Sequence, residues 1–344
     1  MRIGIVNDLP IAVEVLRMVL TEAARHQIAW IARDGAEAVR LCVNDKPDLV
    51  LMDISMPGMD GVIATRRIMA ATPCPILIVT ASVGENAGPV FEALGAGALD
   101  AVNTPVFGSS IPKESPEALL FKIETIARLT GQYESVRRSN GSRGPASRPT
   151  NSSQRLIVIG ASAGGPAALA ELLATLDPAL PAGLVIVQHL DEQFTSGLAG
   201  WLSQKSRLPV RLAREGDRPS PGVVLLAGTN DHLTLLNGDT LGYTPLPRES
   251  SYRPSVDVFF DSVVEHWPGE AVGVLLTGMG RDGARGLKAL REAGHLTIAQ
   301  DRASCAVYGM PKAAAELDAA SEVLPLDQIS SRLSHYFKSI RLNP

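Results

Sequence analysis

The chain has 344 residues, 45% hydrophobic and 20% charged, and its 36 acidic and 32 basic side chains leave a net charge of −4. That length favours two domains, each able to bury its own core, and the acidic balance with only 4% aromatic residues gives no reason to expect nucleic acid as a partner. Cys42, Cys74 and Cys305 lie far apart, which argues against a zinc site or a disulfide framework, and no apolar stretch approaches the ~18–20 residues of a membrane span. The opening MRIGIVND reads as a strand rather than a charged leader, so a cytoplasmic protein without membrane insertion is expected.

In chain order, strands are expected at RIGIV (2–6), IAWIA (28–32), DLVLM (48–52), PILIV (75–79) and ALDAV (98–102). Helical patterns fall at 10–24, 34–45, 60–71, 86–95 and 114–129. Five βα units of this spacing predict a flavodoxin-like domain over residues 1–130, a five-stranded parallel sheet covered on both faces. Residues 131–153, GQYESVRRSNGSRGPASRPTNSS, are rich in Ser, Gly, Pro, Asn and Arg and read as a flexible linker, its arginines solvating a spacer. The rhythm resumes over 154–344 with LIVIG (156–160), GLVIVQH (183–189), GVVLLA (222–227) and AVGVLLTG (271–278), and an Asn237-Gly238 hairpin lies within 233–243. Helices at 166–176, 196–206, 255–267, 283–293 and 310–319 complete a doubly wound α/β domain with an antiparallel edge hairpin.

In open α/β sheets, ligands collect at the carboxyl ends of the strands. In the first domain this rim carries Asp8, Asp53 and Thr80. Two carboxylates with water and carbonyl oxygens suit Mg²⁺, and a carboxylate beside that ion can attack phosphorus to form an acyl phosphate. The plainer alternative is that Asp8 and Asp53 merely cap local turns.

The segments VND (6–8), LMDISMPGMDGV (51–62), IVTAS (78–82) and GAGALDAVNTP (95–105) resemble the response-regulator receiver domain. The resemblance implies Asp53 as phospho-acceptor, Asp8 and Asp53 as Mg²⁺ ligands and Thr80 as the switch hydroxyl. Two positions depart from the family pattern: Asn7 replaces a usual carboxylate, and Thr104 replaces the Lys before Pro105. The first weakens the metal site and the second removes an ammonium that pairs with the phosphoryl group.

In the second domain Ser162 follows LIVIG, His189 follows LVIVQ and Asp282 follows VLLTGMGR. Hydroxyl, imidazole and carboxylate at strand tips are the parts of a nucleophile–base–orienter triad. Taken singly, Ser162 could be a helix cap, His189 a hydrogen-bonded structural residue and Asp282 a cap for the helix from Gly283. GASAGG also has the look of a dinucleotide fingerprint, but the acidic residue about 20 positions on is missing, and the next strand ends in Gln188-His189.

IGASAGGP (159–166), VIVQHLDEQFTSGLA (185–199), AGTNDHL (227–233), YRPSVDVFF (252–260), LLTGMGRDGA (275–284) and IAQDRASCAVYGMPKAA (298–314) resemble the catalytic domain of the CheB methylesterases of chemotaxis. Receiver, linker and catalytic domain stand in that family's order. The resemblance implies Ser162 as nucleophile, His189 as general base and acid, Asp282 as its orienter and the Met279 backbone N–H as oxyanion donor. Ala163 departs from the Thr common after the nucleophile. The implied reaction is hydrolysis of glutamate γ-methyl esters on methyl-accepting chemoreceptors, with glutamine deamidation by the same route. The implied control is phosphorylation by a chemosensory histidine kinase, which relieves a receiver that blocks the triad. The Asn7 and Thr104 departures are similar to those of variant methylesterases such as the Wsp-type proteins. A regulatory docking protein without catalysis is the competing class. A DNA-binding output lacks a basic helix-turn-helix after the linker.

Overall fold

The computed structural model describes residues 1–22, 25–81, 87–106, 115–130, 154–236, 239–250 and 252–339. The expected linker, Ser82 and the Asn237-Gly238 turn lie outside the described residues. The chain divides into two compact units, residues 1–135 and 136–344.

The first unit runs β1 (Arg2–Val6), α1 (Pro10–Glu22), β2 (Gln27–Ala32), α2 (Gly35–Asn44), β3 (Leu49–Met52), α3 (Gly61–Ala71), β4 (Ile76–Thr80), α4 (Ala87–Gly95), β5 (Asp100–Asn103) and α5 (Pro116–Thr130). LVLM in β3 and ILIVT in β4 are buried at every position, as strands covered on both faces must be. Asp34 and Asp60 start α2 and α3 by accepting the N–H groups of Glu37 and Ile63. The strand order is β2-β1-β3-β4-β5 with parallel pairing throughout, so the chain reverses direction across the sheet between β1 and β3. Asp8 and Asp53 follow these two strands, at the crevice where such sheets hold ligands.

The second unit opens with β6 (Arg155–Ala161), α6 (Gly165–Thr175), β7 (Gly183–Gln188), α7 (Glu192–Lys205), β8 (Val210–Leu212) and β9 (Val224–Leu226). It continues with the hairpin β10 (His232–Leu236) and β11 (Thr240–Thr244), then α8 (Val256–His266), β12 (Glu270–Leu275) and α9 (Ala284–Glu292). β13 (Leu296–Gln300), α10 (Met310–Glu316), β14 (Glu322–Leu324) and α11 (Leu326–Ser339) complete it. Seven strands form one parallel sheet in the order β14-β13-β12-β6-β7-β9-β8, with the switch between β6 and β12.

Alternate residues of the central strands face opposite layers. Leu156, Val158, Val185 and Val187 join one core with Phe259, Phe260 and Leu287 of α8 and α9. Their buried neighbours Ile157, Ile159, Leu184 and Ile186 point the other way. The antiparallel hairpin stands as a two-stranded sheet of its own, its Leu233, Leu235 and Leu241 sunk into that same core.

The observed β8, β13, β14 and α11 add to the sequence-predicted elements. β13 escapes a search for apolar runs because two of its five residues, Thr297 and Gln300, are polar yet fully buried. Thr297 Oγ1 donates to the Ala319 carbonyl, and Gln300 bonds Thr277 N–H and the Ser304 carbonyl. Among the described residues, no helix is long and apolar enough to cross a membrane.

Candidate active site

In the first unit, the Asp53 N–H donates to the Val6 carbonyl at 2.9 Å, which draws the tips of β3 and β1 together. Asp53 is buried, and its Oδ1 accepts from the Ile54 N–H at 2.8 Å. Burial pushes its carboxyl above the usual range, the Asp8 charge adds to that, and hydrogen bonds from Ile54, Thr80 and Ser55 offset only part of it. Asp8 Oδ1 is buried with no hydrogen-bond partner among the described residues. The sequence-predicted Asp8 and Thr80 therefore both interact with Asp53. Asn7 is also buried, but its Oδ1 already accepts from the Leu9 N–H at 2.8 Å. A buried carboxylate beside a half-buried one with an orphaned oxygen fits a hard divalent cation that keeps several of its waters. α3 takes its cap from Asp60, so Asp53 is not spent on a helix terminus.

In the second unit, Ser162, His189 and Asp282 follow β6, β7 and β12, which are adjacent at the centre of the sheet. The N-cap of α6 is Gly164, in the left-handed region at φ 73°, so the Ser162 hydroxyl is not consumed as a cap. The Ser162 N–H donates to the Thr277 carbonyl at 3.1 Å. Gly278 then passes so close that a Cβ there would lie 2.9 Å from Ser162 Cβ and would also overlap Met310 Sδ. The TGMG turn thus packs directly against Ser162. The Met279 N–H has no hydrogen-bond partner among the described residues.

His189 Nε2 bonds Asp282 Oδ2 at 2.7 Å. Its Nδ1 is buried and unpartnered among the described residues, so the imidazole is not hydrogen-bonded to Ser162 in this state. One face of the ring is covered by Tyr252, stacked at 4.4 Å between centroids and 9° between planes.

Asp282 does not cap α9, whose N-cap is Gly283 without a side-chain bond. It sits instead over the N-terminus of α8. Its Oδ1 accepts from Ser255 Oγ at 2.8 Å and from the Asp257 N–H at 3.1 Å, and its Oδ2 accepts from the Val256 N–H at 2.6 Å. Burial raises the Asp282 carboxyl, but the bonds from His189, Val256 and Ser255 and the imidazole charge outweigh it and hold the group below the usual range. Ser255 is fixed in turn by His232, whose Nδ1 accepts the Ser255 N–H at 3.0 Å while Nε2 bonds the Pro247 carbonyl at 3.1 Å.

The CheB methylesterase family model matches residues 157–333, and the response regulator receiver domain model matches residues 3–113. The chain is 57% identical over 339 residues to protein-glutamate methylesterase/protein-glutamine glutaminase 3 of Pseudomonas aeruginosa, covering 98% of this chain and 100% of that one. The chain belongs to the CheB methylesterase family. A Pseudomonas syringae pv. syringae relative, protein-glutamate methylesterase/protein-glutamine glutaminase 2, is 58% identical over 98% of this chain and 99% of its own length. The crystal structure of the Thermotoga maritima CheB methylesterase catalytic domain aligns with a TM-score of 0.51 at 34% identity, covering 54% of this chain and 100% of that one.

Three site residues of this CheB-family chain were not singled out by sequence reasoning: Tyr252, Ser255 and His232. Their signal was present in AGTNDHL and YRPSVDVFF, two of the three segments of the resemblance to which no role was attached. Both come from the loop and hairpin side of the fold, away from the strand tips where functional groups were sought.

Proposed function

We propose that this chain hydrolyses glutamate γ-methyl esters on the signalling domains of chemoreceptors, releasing methanol, and deamidates receptor glutamines by the same route. The observation that carries the reading is the His189–Asp282 bond of 2.7 Å with the opposite ring nitrogen left unpartnered, at the tip beside Ser162. The family and its named relatives support the substrate class.

The geometry supports Nδ1 as the acting nitrogen. The Asp282 carboxylate accepts from Nε2–H, which places the lone pair on Nδ1. Nδ1 takes the Ser162 proton as Oγ attacks the ester carbonyl carbon. Ser162 and His189 are apart in the free site, and such bonds commonly tighten only when substrate binds. The tetrahedral oxyanion accepts from the Met279 N–H; removing one such donor typically costs about 3–4 kcal/mol of transition-state stabilisation. Collapse breaks the C–O bond, and Nδ1–H protonates the departing methoxide. Water then attacks the acyl-serine, giving its proton to Nδ1, and the Ser162 oxygen leaves with that proton. A glutamine amide follows the same steps and loses ammonia.

In the receiver, Asp8 and Asp53 would hold Mg²⁺, which when bound neutralises charge on an incoming phosphoryl group. Asp53 is the acceptor: its carboxylate oxygen bonds phosphorus as the donor's leaving group departs. A chemosensory histidine kinase is the proposed donor, and phosphorylation raises esterase output. The cytoplasm, where kinase and receptor signalling domain meet, is the proposed location.

The test measures methanol release from methylated receptor by the full chain, by Ser162→Ala, and by the full chain treated with a small phosphodonor and Mg²⁺. Release abolished by Ser162→Ala and raised by the phosphodonor is expected. No release, on a receptor that a related enzyme demethylates, overturns the esterase in favour of a docking protein. Release indifferent to the phosphodonor overturns the control alone.

A further inference from the structure

Gln188 is the last residue of β7 and precedes the proposed base. Ladder pairing of β6 with β7 ends at Ala161 and Gln188, followed only by the bond from the His189 N–H to the Ala161 carbonyl at 3.0 Å. Beyond that point no ladder pairing sets the spacing between Ser162 and His189. The Gln188 side chain, 4% exposed, spans this gap. Its Nε2 donates to the Ser162 carbonyl at 2.9 Å and to the His189 carbonyl at 3.1 Å. The Ser162 carbonyl also accepts from the Gly165 N–H at 2.7 Å, so the same oxygen is fixed to the start of α6.

The arrangement is particular to glutamine. Two N–H donors on one nitrogen serve two carbonyls, which neither an ionised glutamate nor an apolar side chain of equal length can do. It also carries a defect. Gln188 Oε1 is buried with no hydrogen-bond partner among the described residues. The oxygen lies against Gly165, where any Cβ would overlap it. A buried orphan acceptor costs stability, so its presence calls for a local reason.

We propose that Gln188 is a positioning residue: its amide sets the separation of Ser162 Oγ from His189 Nδ1 by tying the carbonyls of both residues to one nitrogen. The inference rests on the triad reading above. Displacing a reacting group by about 1 Å can lower rate by 10²-fold, so loss of the tie acts on chemistry rather than on receptor binding.

The experiment uses the full-length chain and its Q188M, Q188E, G165A and S162A variants with two readouts. The first is the rate of labelling by a fluorophosphonate: Ser162 Oγ bonds phosphorus, the P–F bond breaks, fluoride leaves and the proton passes to His189. The second is kcat and KM for methylated receptor. Q188M and Q188E are expected to lose roughly 10- to 100-fold in labelling rate and in kcat, with KM within about twofold of wild type. G165A crowds the same amide from the opposite side and is expected to move both readouts in the same direction, which keeps the test decisive if a Gln188 variant fails to fold. Wild-type labelling rates in Q188M and G165A, or a raised KM with kcat kept, overturn the inference while leaving the triad standing. Absence of labelling in the wild-type chain that S162A removes overturns the triad reading and the inference with it.

Discussion

Asp53 and Asp282 occupy comparable places in the two halves of the molecule. Each follows a central parallel strand at a point where strand order reverses, and they are 6% and 7% exposed. Their surroundings drive them in opposite directions. Asp282 accepts from Ser255 Oγ, two N–H groups at the start of α8 and the His189 ring, and is held as an anion below the usual carboxylate range. Asp53 has fewer donors and an acidic neighbour in Asp8, and is pushed above that range. A carboxylate saturated with donors is fixed and can only orient something else. One short of donors keeps lone pairs for an incoming cation or electrophile. Burial alone therefore does not assign a role; the count of donors does.

The strongest way to break this contrast is Asp282→Asn. The amide can no longer accept all four donors, and its NH₂ group competes for the position of Nε2–H, so the imidazole loses both tautomer and orientation. Esterase kcat/KM on methylated receptor is expected to fall on the order of 10³–10⁴-fold. A loss under tenfold would mean that the saturated carboxylate is structural and that His189 is oriented by something else.

A smaller effect is expected at Tyr252, whose ring lies flat on the imidazole. Aromatic stacking is worth about 0.5–1.5 kcal/mol beyond burial, so Tyr252→Leu should lower kcat by up to about tenfold. Tyr252→Phe retains the stack and should keep most of the rate. Equal losses in both variants would shift the role from the ring to the hydroxyl.

The legibility of these features differs for a physical reason. Ser162, His189, Asp282, Asp8 and Asp53 each follow an apolar strand, and a rule about strand tips marks them as candidates from order alone. What holds them is another matter. Ser255 and Val256 reach Asp282 only because α8 packs beside β6 and β7, and that neighbourhood depends on strand order rather than on periodicity. Tyr252 reaches His189 by way of the segment after the hairpin, which no spacing within it reveals. β13 was missed because its buried Thr297 and Gln300 owe their place to hydrogen bonds with residues about 20 positions away along the chain. Periodicity reports burial of apolar faces and is blind to polar groups satisfied at long range.

The finest test separates the two carboxylates by their pH dependence. Asp53 has its folded pKa raised, so its native state is favoured while the group is protonated, and that advantage is lost as pH rises through the folded value. At neutral pH without Mg²⁺, Asp53→Asn should remove the penalty of a buried charge and increase hydrogen-exchange protection of β1, β3 and β4. The gain should vanish in acid, where Asp53 is already neutral. Asp282 runs the other way: its folded pKa is depressed, so its contribution is present above the ordinary carboxylate value and is lost as pH falls through the folded one. Protection at the start of α8 should therefore decline in acid in the wild-type chain, and Asp282→Asn should flatten that decline while lowering protection at neutral pH. If Asp53→Asn loosens the receiver at neutral pH, Asp53 is an anion satisfied by its donors as Asp282 is, and the lone pairs assigned to phosphorus are already spent.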